Sequence, residues 1–238
     1  MHRFDNKTAL VIGGSRGIGA AIVERLASEG ARVAFTYASS PGKAQEVAAA
    51  TGALAIEADS ADRAALQRAV GDAATRLGGL DILVVNAGIM ARGHIAELDL
   101  DLLDRALAVN VRGVVVAIQA AVPHLREYGR VITIGSNTAE AVPIAGSSIY
   151  AMTKGAVATL VRGLARDLAP RRITVNNLQP GPTETDMNVD LPQWAREMVP
   201  VGRIASPAEI AGFAAYLASA EAGYVTGASL TIDGGFSL

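Results

Sequence analysis

The chain has 238 residues, half of them hydrophobic and only 4% aromatic, with a net charge of −2. That length suits one large α/β domain with a core of Ala, Val, Leu and Ile, and the near-neutral charge gives no electrostatic case for nucleic acid or an anionic membrane. The absence of cysteine excludes disulfides, thiolate nucleophiles and cysteine-ligated zinc. The three histidines, His2, His94 and His124, match no metal-ligand spacing, so no metal is expected.

Taken in chain order, short apolar runs alternate with helical patterns. TALVIGG (8–14) reads as a buried strand and IGAAIVERLASEG (18–30) as a helix ended by Gly30. RVAFTYA (32–38) is the next strand, followed by a helix over 40–52 with Ser40 as N-cap and Pro41 at its first position. ALAIEAD (53–59) is a third strand and 63–78 a helix. LDILVVNAG (80–88) is strand four, a long helix follows around 101–125, and RVITIGS (130–136) is strand five. Residues 148–168 are helical, RITVNNLQPG (172–181) is strand six, and 183–200 is irregular with a short helix near PQWAREM. SPAEIAGFAAYLAS (206–219) opens with a Ser-Pro-x-Glu helix start, and SLTIDGG (229–235) is the last strand.

Strand–helix alternation with continuous apolar strands predicts a parallel sheet covered on both faces. Right-handed crossovers make it doubly wound, of the Rossmann type, with seven strands in the order 3-2-1-4-5-6-7. Residues 1–238 form one domain, with no linker, repeat or low-complexity tract. The segment MHRFDNKTALVIGG lacks the apolar stretch and small-residue cleavage site of a secretory signal. No stretch reaches the roughly 18 uncharged apolar residues of a membrane span, so a cytoplasmic location is the expectation.

GGSRGIG joins the first strand to the first helix and sets Gly13, Gly17 and Gly19 in a G-x-x-x-G-x-G pattern around Ser15, Arg16 and Ile18. Glycines there permit a tight turn and let a helix N-terminus approach a pyrophosphate. NAD-preferring sites carry an acid at the end of strand two that bonds the ribose 2′-hydroxyl. Here that end reads Tyr37, Ala38, Ser39, Ser40, with Arg16 in the loop and Lys43 nearby. A 2′-phosphate would meet cations and hydroxyls and no repelling carboxylate, which favours NADP(H). Asp59, with Ser60, closes strand three, either to accept a bond from the adenine amino group or to cap the next helix.

IYAMTKGAV places Tyr150 four residues ahead of Lys154, about one helical turn away on the same face. With GGSRGIG, VNAG (85–88), VNVRG (109–113), IGS (134–136) and QPGPTET (179–185) in that order, the chain resembles the short-chain dehydrogenase/reductase family from end to end. Within it, the chain is similar to 3-oxoacyl-[acyl-carrier-protein] reductases. GGSRGIGAAIV, DILVVNAGI and TIDG bring it closer to the cyclic-di-GMP-binding biofilm-dispersal mediator branch and related ketone reductases.

The resemblance implies a tetrad of Asn110, Ser136, Tyr150 and Lys154. Tyr150 would be the general acid for reduction or base for oxidation. Its phenol, ordinarily near pKa 10, would be lowered by Lys154 and by the oxidised nicotinamide. Ser136 would orient the substrate oxygen, Lys154 would also hold the nicotinamide ribose, and Asn110 would position a water leading to solvent. Asn86, Ala87 and Gly88 resemble the segment beside the adenine ribose. Pro180 and Gly181, with Thr183 through its backbone and Thr185 through its hydroxyl, resemble the segment that holds the carboxamide.

Three positions depart from the family pattern. Ile12 stands in place of a threonine, Val85 in place of an asparagine, and Ser136 lies one residue farther from Tyr150, leaving Ser147 and Ser148 as substitutes. A lid over 183–200 carries Met187, Leu191, Trp194 and Met198, which suit a flexible cover over an apolar ketone. Arg171 and Arg172 are expected near the entrance. The resemblance implies a homotetramer packed through the helices near 101–125 and 148–168 and through GASLTIDGG. The expected activity is NADPH-dependent reduction of a small or medium apolar ketone. The alternatives are a nucleotide-binding sensor, for cyclic-di-GMP or NADP(H), and a 3-oxoacyl-[acyl-carrier-protein] reductase.

Overall fold

Runs of apolar residues with no polar alternation can satisfy their backbone only inside a sheet covered on both faces. β1 (Thr8–Ile12) and β4 (Leu80–Val85) are such runs, and every residue in them is buried. In the computed structural model, which describes residues 2–188 and 193–238, β1 leads into α1 (Gly17–Ser28), β2 (Arg32–Tyr37), α2 (Pro41–Thr51), β3 (Leu54–Glu57) and α3 (Arg63–Leu77). After β4 come α4 (Leu100–Leu107), α5 (Gly113–Ala121), β5 (Leu125–Ile134), α6 (Ser148–Leu168), β6 (Thr174–Pro180), α7 (Gln193–Glu197), α8 (Pro207–Ala218) and β7 (Ser229–Ile232). All the pairings are parallel, and the order is β3-β2-β1-β4-β5-β6-β7, as expected.

Two apolar layers cover the sheet. Ile22, Val23 and Leu26 of α1 pack with Ile210, Ala214 and Leu217 of α8 on one face. Leu66 and Val70 of α3, Val114 and Ile118 of α5, and Val157 and Val161 of α6 cover the other. The Ser206 turn before α8 is closed by Glu209, whose carboxylate accepts from the Ser206 N–H at 2.9 Å.

Two elements and one pair of arginines differ most from the sequence expectation. The helix around 101–125 is not continuous: a π-helical turn, Ala108–Arg112, separates α4 from α5. One extra residue per turn rotates the side chains there, a device common at functional sites. β5 starts at Leu125 rather than 130, with a register shift opposite Leu80 and Ile82. Its first residues, Arg126 to Tyr128, are exposed and polar and carry no strand pattern. Arg171 and Arg172 lie between α6 and the amino end of β6, the edge away from the strands' carboxyl ends. Their guanidiniums bond the Val122 and Leu125 carbonyls and Tyr128, so they do not border an entrance.

The run Leu100–His124 is long and apolar enough by composition to cross a membrane, but half of its most apolar window is buried inside this fold.

Beneath the sheet's amino edge, Asp81 ties β4 to β1. Its carboxylate accepts from the Thr8 N–H (2.9 Å), the Thr8 hydroxyl (3.0 Å), Arg126 (2.6 Å) and Lys7 (3.2 Å). Burial raises its pKa, but the Thr8 bonds and the Lys7 charge outweigh this and hold it below the ordinary 3.8. The folded pKa is depressed, so the stabilisation is present above the unfolded value and is lost as pH falls through the folded one. Asp81→Asn leaves these donors underused and is expected to cost about 2 kcal/mol in urea unfolding at neutral pH. The deficit against the wild type should shrink in acid.

Candidate active site

β1 and β4 are neighbours whose connections leave in opposite directions, so their carboxyl ends border a crevice. Close packing forms its floor. Asn86 donates to the Gly13 carbonyl (2.6 Å), the Ala87 N–H to the Ile12 carbonyl (2.8 Å) and the Gly13 N–H to Thr36 Oγ1 (3.0 Å). Gly13 and Gly17 hold φ of +82° and +54°, in the left-handed region that glycine favours. A Cβ on Gly19 would stand 2.0 Å from the Gly13 carbonyl oxygen. Gly14, which the glycine pattern omitted, is equally constrained: its Cβ would lie 2.6 Å from Phe35. Ile12 and Val85, the two departures in the strands, are register partners and both buried, so an apolar contact replaces a polar pair.

The crevice opens into a cleft of about 480 Å³. Ser15, Arg16, Gly17 and Ile18, Tyr37 to Ser40, Asp59 and Ser60, and Asn86 to Gly88 all line it. Thr36, Met90, Val109 and Arg105 also contribute and were not anticipated. Gly19 stands behind the loop and shapes it. This cradle fits a dinucleotide: glycines where a side chain would collide, a helix N-terminus facing the cleft, and hydroxyls with no acid at the end of β2.

Two charges in the cleft are differently engaged than expected. Asp59 does not cap α3; Asp62 does, accepting from Ala64 and Ala65 N–H. Asp59 accepts instead from the Ala61 N–H (2.9 Å) and from Arg105 (2.8 Å). At the other rim, Arg16 (3.6 Å) and Lys43 (2.8 Å) both meet the exposed Asp186 carboxylate.

A second, smaller cavity of about 130 Å³ adjoins the cleft, lined by Ser136, Tyr150, Lys154, Pro180, Gly181, Thr183 and Thr185 among others. Tyr150 and Lys154 project from the first turns of α6, are 7% and 5% exposed, and place the ammonium 5.6 Å from the phenol ring centre. Lys154 Nζ donates to the Ile134 carbonyl at 2.9 Å. Ser136 follows β5, and its hydroxyl accepts from the Thr138 N–H (3.2 Å) and hydroxyl (2.9 Å). Ser147 also lines the cavity, whereas Ser148 is exposed and away from it.

Asn110 sits in the π-helical turn. Its side chain bonds both the N–H and carbonyl of Ile89 (2.8 and 2.9 Å) and Thr153 Oγ1 (3.1 Å). Behind Gly88, its oxygen and Lys154 Nζ lie 3.5 and 3.4 Å from where a Gly88 Cβ would stand. Asn110 thus fastens the segment after β4 to α6 without lining either cavity.

The electrostatics differ from the expected downshift of Tyr150. Burial pushes the phenol up to about 12, while the Ser136 hydroxyl and the Arg92 charge pull it back. Burial also draws Lys154 down to about 8. Burial thus disfavours the charged form of each group, the phenolate of Tyr150 and the ammonium of Lys154.

Of the expected lid residues, Met187 lines both cavities. Trp194 and Met198 are half-exposed and line neither, and Leu191 lies outside the described residues. Arg92, Asn188 and Phe236 reach the smaller cavity unanticipated. Among the described residues, no cluster of His, Cys, Asp or Glu could hold a metal.

A family model described as Enoyl-(Acyl carrier protein) reductase matches residues 12–237. The chain belongs to the short-chain dehydrogenase/reductase family. A member from Serratia marcescens superposes with a TM-score of 0.97 at 57% identity over 100% of both chains. A Burkholderia cenocepacia member, solved in complex with NADP, gives 0.95 at 48% identity over 99% of this chain and 100% of that one. The cyclic-di-GMP-binding biofilm dispersal mediator protein of Escherichia coli is 46% identical over 99% of each chain.

The glycine cradle gives a direct test of packing in this short-chain dehydrogenase/reductase. Gly19→Ala is expected to lose about 1–3 kcal/mol of stability by overpacking. Gly71→Ala, in open space on α3, should gain about 0.5–1 kcal/mol. Paired urea melts of the two variants check both signs.

Proposed function

We propose that the chain is an NADP(H)-dependent carbonyl reductase acting on a ketone with a largely apolar body. The observation that carries this reading is a buried Tyr150 beside the Ser136 hydroxyl, one helical turn from a buried Lys154, at the inner end of a dinucleotide-shaped cleft. The Burkholderia relative's complex with NADP supports the choice of cofactor, as does the acid-free end of β2.

The nicotinamide, when bound, supplies the hydride that reaches the carbonyl carbon. Ser136 orients the carbonyl oxygen. Tyr150 gives that oxygen its proton, and its pKa of about 12 keeps it protonated and ready across neutral pH. Lys154, fixed by the Ile134 carbonyl, would hold the cofactor ribose through its remaining N–H groups and would stabilise the phenolate left behind. Asn110 holds Ile89 and Thr153 in place and so sets the path by which Tyr150 is reprotonated. Arg16 and Lys43 would hold the 2′-phosphate in exchange for Asp186, and Pro180, Gly181, Thr183 and Thr185 would border the carboxamide. The reaction balances as ketone, NADPH and one proton giving alcohol and NADP+.

A homotetramer is part of this proposal. Leu100, Val115 and Met152 stand exposed on α4, α5 and α6, and Tyr224 is fully exposed just before GASLTIDGG, so apolar surface lies where the two interfaces are expected. Light scattering at micromolar concentration should give four chains.

NADPH oxidation with aliphatic, cyclic and bicyclic ketones and a 3-oxoacyl thioester tests the activity. Tyr150→Phe should lower kcat by roughly 100-fold or more while NADPH still binds. Tight NADPH binding with no turnover of any ketone would favour the nucleotide-sensor reading. Asp186→Asn frees Arg16 and Lys43, and should tighten NADPH by roughly two- to five-fold at low salt with no gain for NADH.

A further inference from the structure

The cavity beyond Tyr150 holds a cation that the proposed proton transfer does not use. Its outer wall is apolar: Met90, Val142, Pro143, Ile144 and Phe236. The charged residues in the lining, among the described residues, are Lys154 and Arg92, and no carboxylate joins them. Lys154 is buried and bonded to the Ile134 carbonyl. Arg92 is exposed, on the segment after β4, and is close enough for its charge to be felt at the Tyr150 phenol.

The other cations around the crevice are already matched. Arg16 and Lys43 meet Asp186, and Arg105 meets Asp59. Arg92 has no ion pair and no hydrogen bond among the described residues. A guanidinium presents several N–H donors in a planar fork that suits a carboxylate. An unmatched one facing an apolar cavity that contains no acid selects a ligand that brings its own negative charge.

We propose that Arg92 is a substrate-recognition residue and that the substrate class is the oxo acid, a ketone whose apolar body ends in a carboxylate. The carbonyl lies at Ser136 and Tyr150, the hydrocarbon along Met90, Val142 and Ile144, and the carboxylate at Arg92 near the mouth. This rests on the carbonyl-reductase reading and narrows it. A carboxylate there would also screen the Arg92 charge from Tyr150, so the anionic end and the proton donor are linked electrostatically.

The test compares straight-chain oxo acids of increasing length with their methyl esters in the NADPH oxidation assay. At the best chain length the acid should be preferred in kcat/KM. Arg92→Gln should reduce the acid-to-ester ratio roughly tenfold or more, mainly through KM for the acid. Arg92→Lys should retain part of the ratio, and added salt should shrink it in the wild type. NADPH binding by each variant confirms that it is folded. An acid-to-ester ratio that is the same in wild type and Arg92→Gln overturns the assignment, as does a wild type that prefers the ester at every length. If esters are reduced but the ratio ignores Arg92, only this inference fails. If neither acid nor ester is reduced, the reductase reading fails with it.

Discussion

A nearly buried ammonium is the constraint on which the site is built. Among the described residues Lys154 has one protein acceptor, the Ile134 carbonyl at the end of β5, and burial draws its pKa to about 8. Removing such a charge from water is costly unless it is paired or hydrogen-bonded. The sheet and α6 together enforce that position. β5 sets the carbonyl, the first turns of α6 set Tyr150 and Lys154 on one face, and the Asn110 bonds to Ile89 and Thr153 lock α6 to the segment after β4.

The same economy governs the cofactor side. Gly13 and Gly19 leave no room for side chains because the backbone of Ala87 and of Gly13 itself lies against them, and Gly14 because the Phe35 and Val23 side chains do. This packing fixes the crevice, while the charges at its rim remain exchangeable. Arg16 and Lys43 are exposed and share Asp186, and Asp186 adjoins Met187, which lines the substrate cavity as well. The rim is thus where the two cavities meet, with the Arg16–Asp186–Lys43 cluster beside the shared Met187.

Much of this was legible in the sequence, for physical reasons that differ by element. α6 was read with both ends correct because its 3.6-residue pattern is long and its chemistry-bearing residues share one face. β1 and β4 were legible as apolar runs. The π-helical turn was not, since an extra residue in a turn leaves the composition unchanged and shows only in hydrogen bonds. The early start of β5 was hidden because Arg126 to Tyr128 are polar and exposed. Of the three serines the sequence offers, Ser136 and Ser147 line the smaller cavity and Ser148 does not. Three-dimensional charge pairing was the least readable layer. Neither Asp186 between Arg16 and Lys43 nor Arg92 beside Tyr150 has a sequence signal, because each depends on where an irregular segment returns. Burial also raises the pKa of Tyr150 in the ligand-free protein, an effect that spacing alone does not encode.

The central claim is that buried Lys154 and Tyr150 act together as the proton-donating pair of a reductase. The most direct measurement is kcat/KM for the ketone, with NADPH saturating, between pH 6 and 11, because this ratio reports ionisations of the enzyme form that meets the ketone and includes the proton-transfer step. The rate should be level in the acid half of the range and fall as pH rises through about 8, where Lys154 loses its proton. Tyr150 stays protonated until about 12 and so contributes no loss in that window. A profile that stays level to pH 11 would contradict the account, because the charge on Lys154 would then be irrelevant to turnover.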